Sequence, residues 1–247
     1  MMSQRPASGG LLKLPVRSIF IAALIVLFGF LTFKAGKEGL ADAFLRSAVR
    51  GAARPFVPGS LSQPDKWQQV RQDLNNSLRY SPLNPWTLED AGRQDLRGLR
   101  ARDDARPPKV AARSAYENFR LALTQRPTSP DAWANLALAK QFLGEQDEEM
   151  FEALRNADEL GPWEFEIQHL VLSVSLSAWA KLDASQRAAT LRTLGRAMRR
   201  NADKLAPMLV LSNRTDLLCD TGTDNPKVNA LCSQLRKSAV ARRSRSR

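Results

Sequence analysis

The chain is 247 residues long and carries 37 lysines and arginines against 25 aspartates and glutamates, a formal net charge of +12, with one histidine and two cysteines. His169 lies far from both cysteines and the cysteines lack ligand spacing, so neither a metal site nor another cofactor is expected. With 43% hydrophobic residues and few strand-like alternations, the composition argues for a folded all-α chain.

Residues 1–17 form a short tail with Arg5, Lys13 and Arg17 and no acid, which favours keeping it in the cytoplasm. Ser18 to Phe33 is an uncharged apolar run of 16 residues between Arg17 and Lys34. At ~1.5 Å per residue it reaches roughly 24 Å, so it needs its flanks or snorkelling lysines to cross a hydrocarbon core of about 30 Å. We read 18–33 as an uncleaved transmembrane anchor of a single-pass protein. A cleaved signal peptide and a buried soluble helix are the rival readings. The first wants a small-x-small site close behind the run, but Ala41-Asp42-Ala43 comes only after Lys34, Lys37 and Glu38. Orientation is less marked, because Lys34, Lys37, Arg46, Arg50 and Arg54 follow the run. Residues 34–62 read as a linker or juxtamembrane helix.

Residues 63–182 carry a repeated beat. Ala115-x3-Phe119-x2-Ala122-x4-Pro127 has the spacing of the second helix and terminating proline of a tetratricopeptide (TPR) unit. Val70-x3-Leu74-x2-Ser77-x4-Pro82 and Met150-x3-Leu154-x2-Ala157-x4-Pro162 keep that spacing with looser residue types. Small residues let paired helices approach, large apolar ones fill the groove between them, and proline ends the second helix. Trp133, Leu136 and Ala137 supply the matching first helix, with Gly144 to turn the chain after it. In the preceding unit a first helix from about Pro85 to Leu99 puts Leu88, Ala91 and Gly92 in those places. Pro127 and Pro162 are 35 residues apart, but Pro82 and Pro127 are 45 apart. The polar, proline-bearing stretch from Arg100 to Lys109 accounts for the excess as an inserted loop. The spacing therefore predicts a TPR-like helical-repeat solenoid with Phe119, Trp133, Leu136, Pro127 and Pro162 in its repeat core.

Residues 183–235 read as a C-terminal helical extension. Before it, Pro162 opens a helix reaching about Lys181. Asp183 and Gln186 form a capping-box pattern before a helix with Ala188, Leu191, Leu194 and Met198 on one face and a basic end. A further helix runs from Asp203 to about Leu218, interrupted or restarted near Pro207, and a last one starts at Asn225-Pro226 with Val228, Leu231 and Leu235. Cys219 and Cys232 flank a short segment containing Gly222 and Pro226. They either form a disulfide worth about 3 kcal/mol in the chain-entropy model or pack as two buried thiols. A bridge would favour an oxidising outer compartment.

Six of the last 12 residues are basic, so 236–247 reads as a disordered cationic tail. Such a tail suits an anionic lipid or glycan surface; nucleic acid is disfavoured if the domain lies outside the cytoplasm.

The sequence holds no G-x-S-x-G elbow, Walker loop, Rossmann glycine pattern or H-E-x-x-H. Its carboxylate pairs, Glu89-Asp90, Asp103-Asp104 and Glu148-Glu149, are adjacent residues that point apart on a helix or sit in a loop. No catalytic residue is therefore assigned, and the chain is expected not to be an enzyme. Trp133 and Trp179 read as core, and His169 as a seam residue among apolar neighbours. Trp86 and Trp163 each follow a proline at a helix start, where the ring can sit at a seam or contact a sugar.

The segment from Arg126 to Lys140, the Leu143-Gly144 turn, and Leu160-Gly-Pro-Trp-Glu164 with Gln168 resemble VpsP-type polysaccharide-biosynthesis proteins, as do Ser81 to Glu89 and Ala178-Trp179. The likeness spans roughly residues 65 to 182; Phe165 stands where the familiar form has proline. The resemblance implies a membrane-anchored TPR-like protein of a bacterial exopolysaccharide cluster. The expected function is that of a scaffold at the inner membrane, its domain periplasmic, binding a protein of a polysaccharide synthesis or export complex. The concave face made by the first helices would hold the partner, with Glu89, Arg93, Asn135, Lys140 and Gln141 lining it. The alternatives are direct glycan binding through Trp86, Trp163 and the tail, or an assembly role for another envelope machine.

Overall fold

The computed structural model describes residues 16–52, 64–101, 106–220 and 224–245. The basic residues Arg5 and Lys13, the stretch 53–63, the middle of the expected insert (Asp103 and Asp104 included) and Gly222 lie outside them. Among the described residues every regular element is helical: α1 (Val16–Ala52), α2 (Pro64–Tyr80), α3 (Pro85–Ala101), α4 (Pro108–Gln125), α5 (Pro130–Leu143), α6 (Glu148–Leu160), α7 (Phe165–Ser177), α8 (Ala184–Leu211), α9 (Thr215–Asp220) and α10 (Pro226–Arg245), with a 3-10 turn at Trp179–Lys181.

Helix boundaries follow local chemistry. Three connections are built alike: two residues after Pro82, Pro127 and Pro162 come Asn84, Ser129 and Glu164, and a helix begins on the next residue. The Asn84 side chain accepts from the backbone N–H groups of Trp86 and Thr87, and Ser129 Oγ accepts from Ala132. Those bonds satisfy orphan donors of the first turn. Pro130 occupies the first-turn position that needs no donor. At the other end of α5, Gly144 caps in the left-handed region at φ 78°, which an L side chain adopts only at a cost. Asp147 then caps α6 through Met150 N–H, and Asp183 with Gln186 closes a reciprocal capping box on α8.

Successive helices pack as hairpins, α1 on α2, α3 on α4, α5 on α6 and α7 on α8, while α3 also touches α5 and α5 touches α7. One core cluster spans α3 to α7 and includes Phe119, Leu136, Met150, Ile167 and Val174; a second joins α7 to α10 through Leu172, Leu194, Met198, Leu205, Leu218 and Val228. Helix α7 serves both. Ile167, Val171 and Val174 face the first cluster, whereas Leu172 and Leu176 face the second. That double burial explains why α7 is apolar around most of its circumference.

Two boundaries differ from the sequence reading, and at a third the structure selects one of its alternatives. Helix α1 does not stop at the end of the apolar run: it continues to Ala52, and its second half packs on α2. Ala41 and Ala48 are buried there, Phe44 stacks on Tyr80, and Ser77 Oγ donates to the Ala41 carbonyl. The sequence left 34–62 open between a linker and a juxtamembrane helix; residues 34–52 are helical, with Ala41, Leu45 and Ala48 recurring on one face. The break expected near Pro207 falls instead at Asn201, which is non-helical at φ −133° and ψ 31° within α8. Helix α10 extends to Arg245, so most of the segment read as a disordered tail is helical.

The first half of α1 exposes Phe20, Ile25, Val26, Phe28, Phe30 and Phe33, among other large apolar side chains. This helix is long and apolar enough to cross a membrane. So many adjacent apolar side chains without a protein partner are suited to lipid rather than water.

Candidate binding cleft

The five residues expected to line an open groove sit at seams between helices. Glu89 is buried, accepts a 3.0 Å bond from Arg126 and lies 3.8 Å from Arg93. Arg93 also pairs with Asp90 at 2.7 Å and with Asp131 at the start of α5, and Asn135 donates to the backbone and side chain of that same Asp131. Glu89, Arg93 and Asn135 thus share one network linking α3, the end of α4 and α5. Gln141 instead donates 2.6 Å to Ser177 and ties α5 to α7.

Lys140 is as enclosed as Glu89, its side chain 3% exposed. Its ammonium lies 2.6 Å from Glu149, 3.0 Å from Asp147 and 3.4 Å from Glu145, and it approaches the Tyr116 ring to 5.2 Å. Tyr116 in turn donates to Glu149 at 3.0 Å. Burial pushes the Lys140 pKa down, but the hydrogen bonds and charges of Glu149 and Asp147 outweigh it and hold it above the ordinary value. The same balance, burial raising and the Lys140 bonds lowering, leaves Asp147 and Glu149 below the usual carboxylate range. Burial and the bond to Glu149 both raise the Tyr116 pKa. The cluster fixes the α5–α6 turn against α4. At Glu89, Asn135 and Lys140 the expectation of an open groove is corrected, because these side chains are buried and satisfied by neighbouring helices, as buried polar groups require, whereas Arg93 and Gln141 are half-exposed.

The core residues divide. Phe119 and Leu136 are fully buried, and Trp133 packs against them partly buried. Pro127 and Pro162 are not core residues: Pro127 is exposed and Pro162 half-buried. Each works through its carbonyl, which accepts from the residue six positions on, Trp133 Nε1 at 2.8 Å and Gln168 Nε2 at 2.7 Å. The distinctive Gly-Pro-Trp-Glu-x-x-x-Gln element thus contains a structural clamp equivalent to that of Trp133.

Trp86 and Trp163 are exposed. The Arg126 guanidinium covers Trp86 at 3.5 Å from the ring centroid, and Arg200 lies 5.7 Å from that of Trp163. Trp179 lies between Arg187 and Arg214, and His169 tilts against Phe165. Cys219 and Cys232 are joined as a disulfide that ties α9 to α10. Among the described residues no group of three or more His, Cys, Asp or Glu side chains is arranged to hold a metal.

The opening that sequence reasoning missed lies between α6 and the first half of α8. It is a cleft of about 480 Å³ with Leu154, Val171, Ser175 and Leu182 among its lining. Phe151 and Arg155 come from α6, Gln186, Ala189 and Thr193 from α8. At Asp158 the walls are tied, because this carboxylate accepts from Thr193 at 2.7 Å and from Arg196. Glu148, Glu159 and Asp183 face Arg155 and Arg192 around it, while Asp158 is already paired with Arg196, so the remaining charges nearly balance and the cleft offers an apolar anchor with a polar rim. Its volume suits a few side chains of a docked segment. Only the 148, 151, 155, 158 spacing on α6 hinted at such a face.

No protein-family model matches the chain, and no curated protein matches it significantly.

Proposed function

We propose that the protein is a non-catalytic, membrane-anchored scaffold with a TPR-like solenoid that holds a partner protein of an exopolysaccharide synthesis or export complex. The carrying observation is the recurrence of one clamp at one period: Trp133 on Pro127 and Gln168 on Pro162, 35 residues apart, each setting the entry into a first helix. Contacts of α3 with α5 and α5 with α7 agree with first helices stacked along a solenoid. The polysaccharide role rests on the VpsP-type resemblance. Placement in the bacterial inner membrane with the domain in the periplasm is supported by the apolar half of α1 and by the Cys219–Cys232 pair, which suits an oxidising compartment.

The cleft between α6 and α8 is the docking place in this reading, and its occupant an amphipathic segment of the partner. The test is secreted exopolysaccharide in a strain lacking the gene, complemented with the full chain, with a chain lacking residues 1–33, or with Ala189→Arg. Rescue by the full chain alone supports an anchored scaffold acting through the cleft. Rescue by Ala189→Arg removes the cleft, and normal output without the gene removes the polysaccharide role.

A further inference from the structure

The continuity of α1 fixes the height of the domain above a bilayer. Because Ser77 Oγ bonds to the Ala41 carbonyl while Val70 and Leu74 pack with Ala48, α2 runs antiparallel to the second half of α1 and returns toward the apolar end. Ala41 lies eight residues beyond Phe33, roughly 12 Å along a helix. From Ser77 the chain continues three residues to Tyr80, about 4–5 Å back toward the apolar run. The turn 81–84 leaves α2 at this end before α3 starts at Pro85. Tyr80 therefore lies about 7–8 Å beyond Phe33, level with Glu38 and next to Lys37, so the turn starts at the outer part of a headgroup layer of about 5–8 Å on each side of the hydrocarbon. The short apolar run brings it closer still, since its flanking lysines must approach the hydrocarbon edge.

What this edge displays is suited to such a layer. Leu83 is 51% exposed and Trp86 55% exposed, with Pro82 and Arg79 exposed beside them. The Trp86 ring carries the Arg126 guanidinium on one face, giving an apolar body with a cationic cover. Tryptophan and arginine of this kind are favoured at membrane interfaces, and Lys34, Lys37 and Arg79 together outnumber Glu38 at this level. At the opposite end of the α3–α4 hairpin, Val110 is 52% exposed but lies about 25 Å further from the apolar run, the length of α3.

We propose that the turn 81–84 and the start of α3 form a second membrane contact, in which Leu83 and Trp86 lie among the headgroups of the leaflet that α1 leaves. The domain is then held against the bilayer at two points and cannot swivel about α1. The inference rests on the reading that 18–33 crosses a bilayer, and the experiment separates the two.

The full chain is placed in nanodiscs of phosphatidylcholine and phosphatidylglycerol, with an environment-sensitive thiol dye on Leu83→Cys, Val110→Cys or Phe28→Cys. The native cysteines are paired, so the dye reports the introduced one. Nitroxide-bearing lipids, labelled at the headgroup or deep in the acyl chain, act as quenchers. The expected result is that the dye at position 83 loses most of its emission to the headgroup quencher, position 110 keeps its emission with both, and position 28 is quenched by the acyl-chain nitroxide. Deep quenching at 28 with positions 83 and 110 equally unquenched overturns the second contact and leaves the anchor standing. No deep quenching at 28 overturns the anchor and the second contact together.

Discussion

Ser77 Oγ lies 2.8 Å from the Ala41 carbonyl and 3.0 Å from Thr87 Oγ1, so a single buried hydroxyl links α1, α2 and the start of α3. Its one proton is committed to the Ala41 carbonyl, which has no proton to give, so Thr87 is the donor in the second bond. The helix leaving the apolar run is therefore locked to the domain by a directional contact as well as by packing.

Ser77→Ala removes both bonds and leaves the Thr87 hydroxyl without its buried partner. The expected loss is about 1–2 kcal/mol, measured by denaturant unfolding of the full chain in detergent. An unchanged midpoint would show that packing of Ala41, Ala48 and Val70 alone holds α1 to α2.

Lys140→Met keeps the apolar stem and deletes the ammonium, leaving Glu145, Asp147 and Glu149 to repel one another. Breaking a fully buried pair costs ~3–5 kcal/mol; here the acids are one-third to one-half exposed and can rehydrate, so a loss of about 2 kcal/mol is expected. Thermal unfolding measures it, and a neutral outcome would make the cluster dispensable.

The same cluster sets an acid limit. Asp147 and Glu149 have lowered pKa values in the folded chain, so their contribution is complete above the ordinary carboxylate values near about 4 and fades as pH falls through the lowered ones. Lys140, raised, contributes fully below its ordinary value near about 10.4 and loses that contribution only above it. The difference in melting temperature between the unsubstituted chain and Lys140→Met should stay constant between about pH 5 and 9 and shrink below about pH 4. A difference that persists at full size in stronger acid would contradict this.

Gly92→Ala would set a Cβ 2.7 Å from the Phe119 ring, itself fully buried. The ring has no free space to retreat into, and a cost of about 1–3 kcal/mol is expected from overpacking. Gly195→Ala on α8 meets nothing within 4 Å and should be neutral or stabilising by up to about 1 kcal/mol. Equal effects in a urea titration would mean that α3 and α4 do not approach as closely as described.

Replacing Cys219 and Cys232 with serine opens a loop between residues 13 apart. Local stability of α9 and α10 should fall by about 3 kcal/mol, read as faster amide exchange there. Helices α3 to α6, built on a separate core cluster, should exchange as before.

Helix class, the apolar run and the capping box at Asp183 were legible in the sequence, because each depends on neighbours a few residues away. Phe119 and Leu136 were legible as core for a related reason: their periodic spacing leaves few places for them except between paired helices. The fate of the charged residues was not. Glu89 and Lys140 look like surface residues in a one-dimensional pattern, and only the approach of Arg126 to one and of Asp147 and Glu149 to the other makes them interior. Nor does local patterning reveal that residues 34–52 find their partner in α2 across an unpatterned stretch, or that α6 and α8 stand apart enough to leave a cleft. Spacing along the chain determined which helices form and which residues must be buried; ion pairing, the joining of α1 to α2 and the opening of a site depend on distances between residues far apart in sequence, which only the packed helices decided.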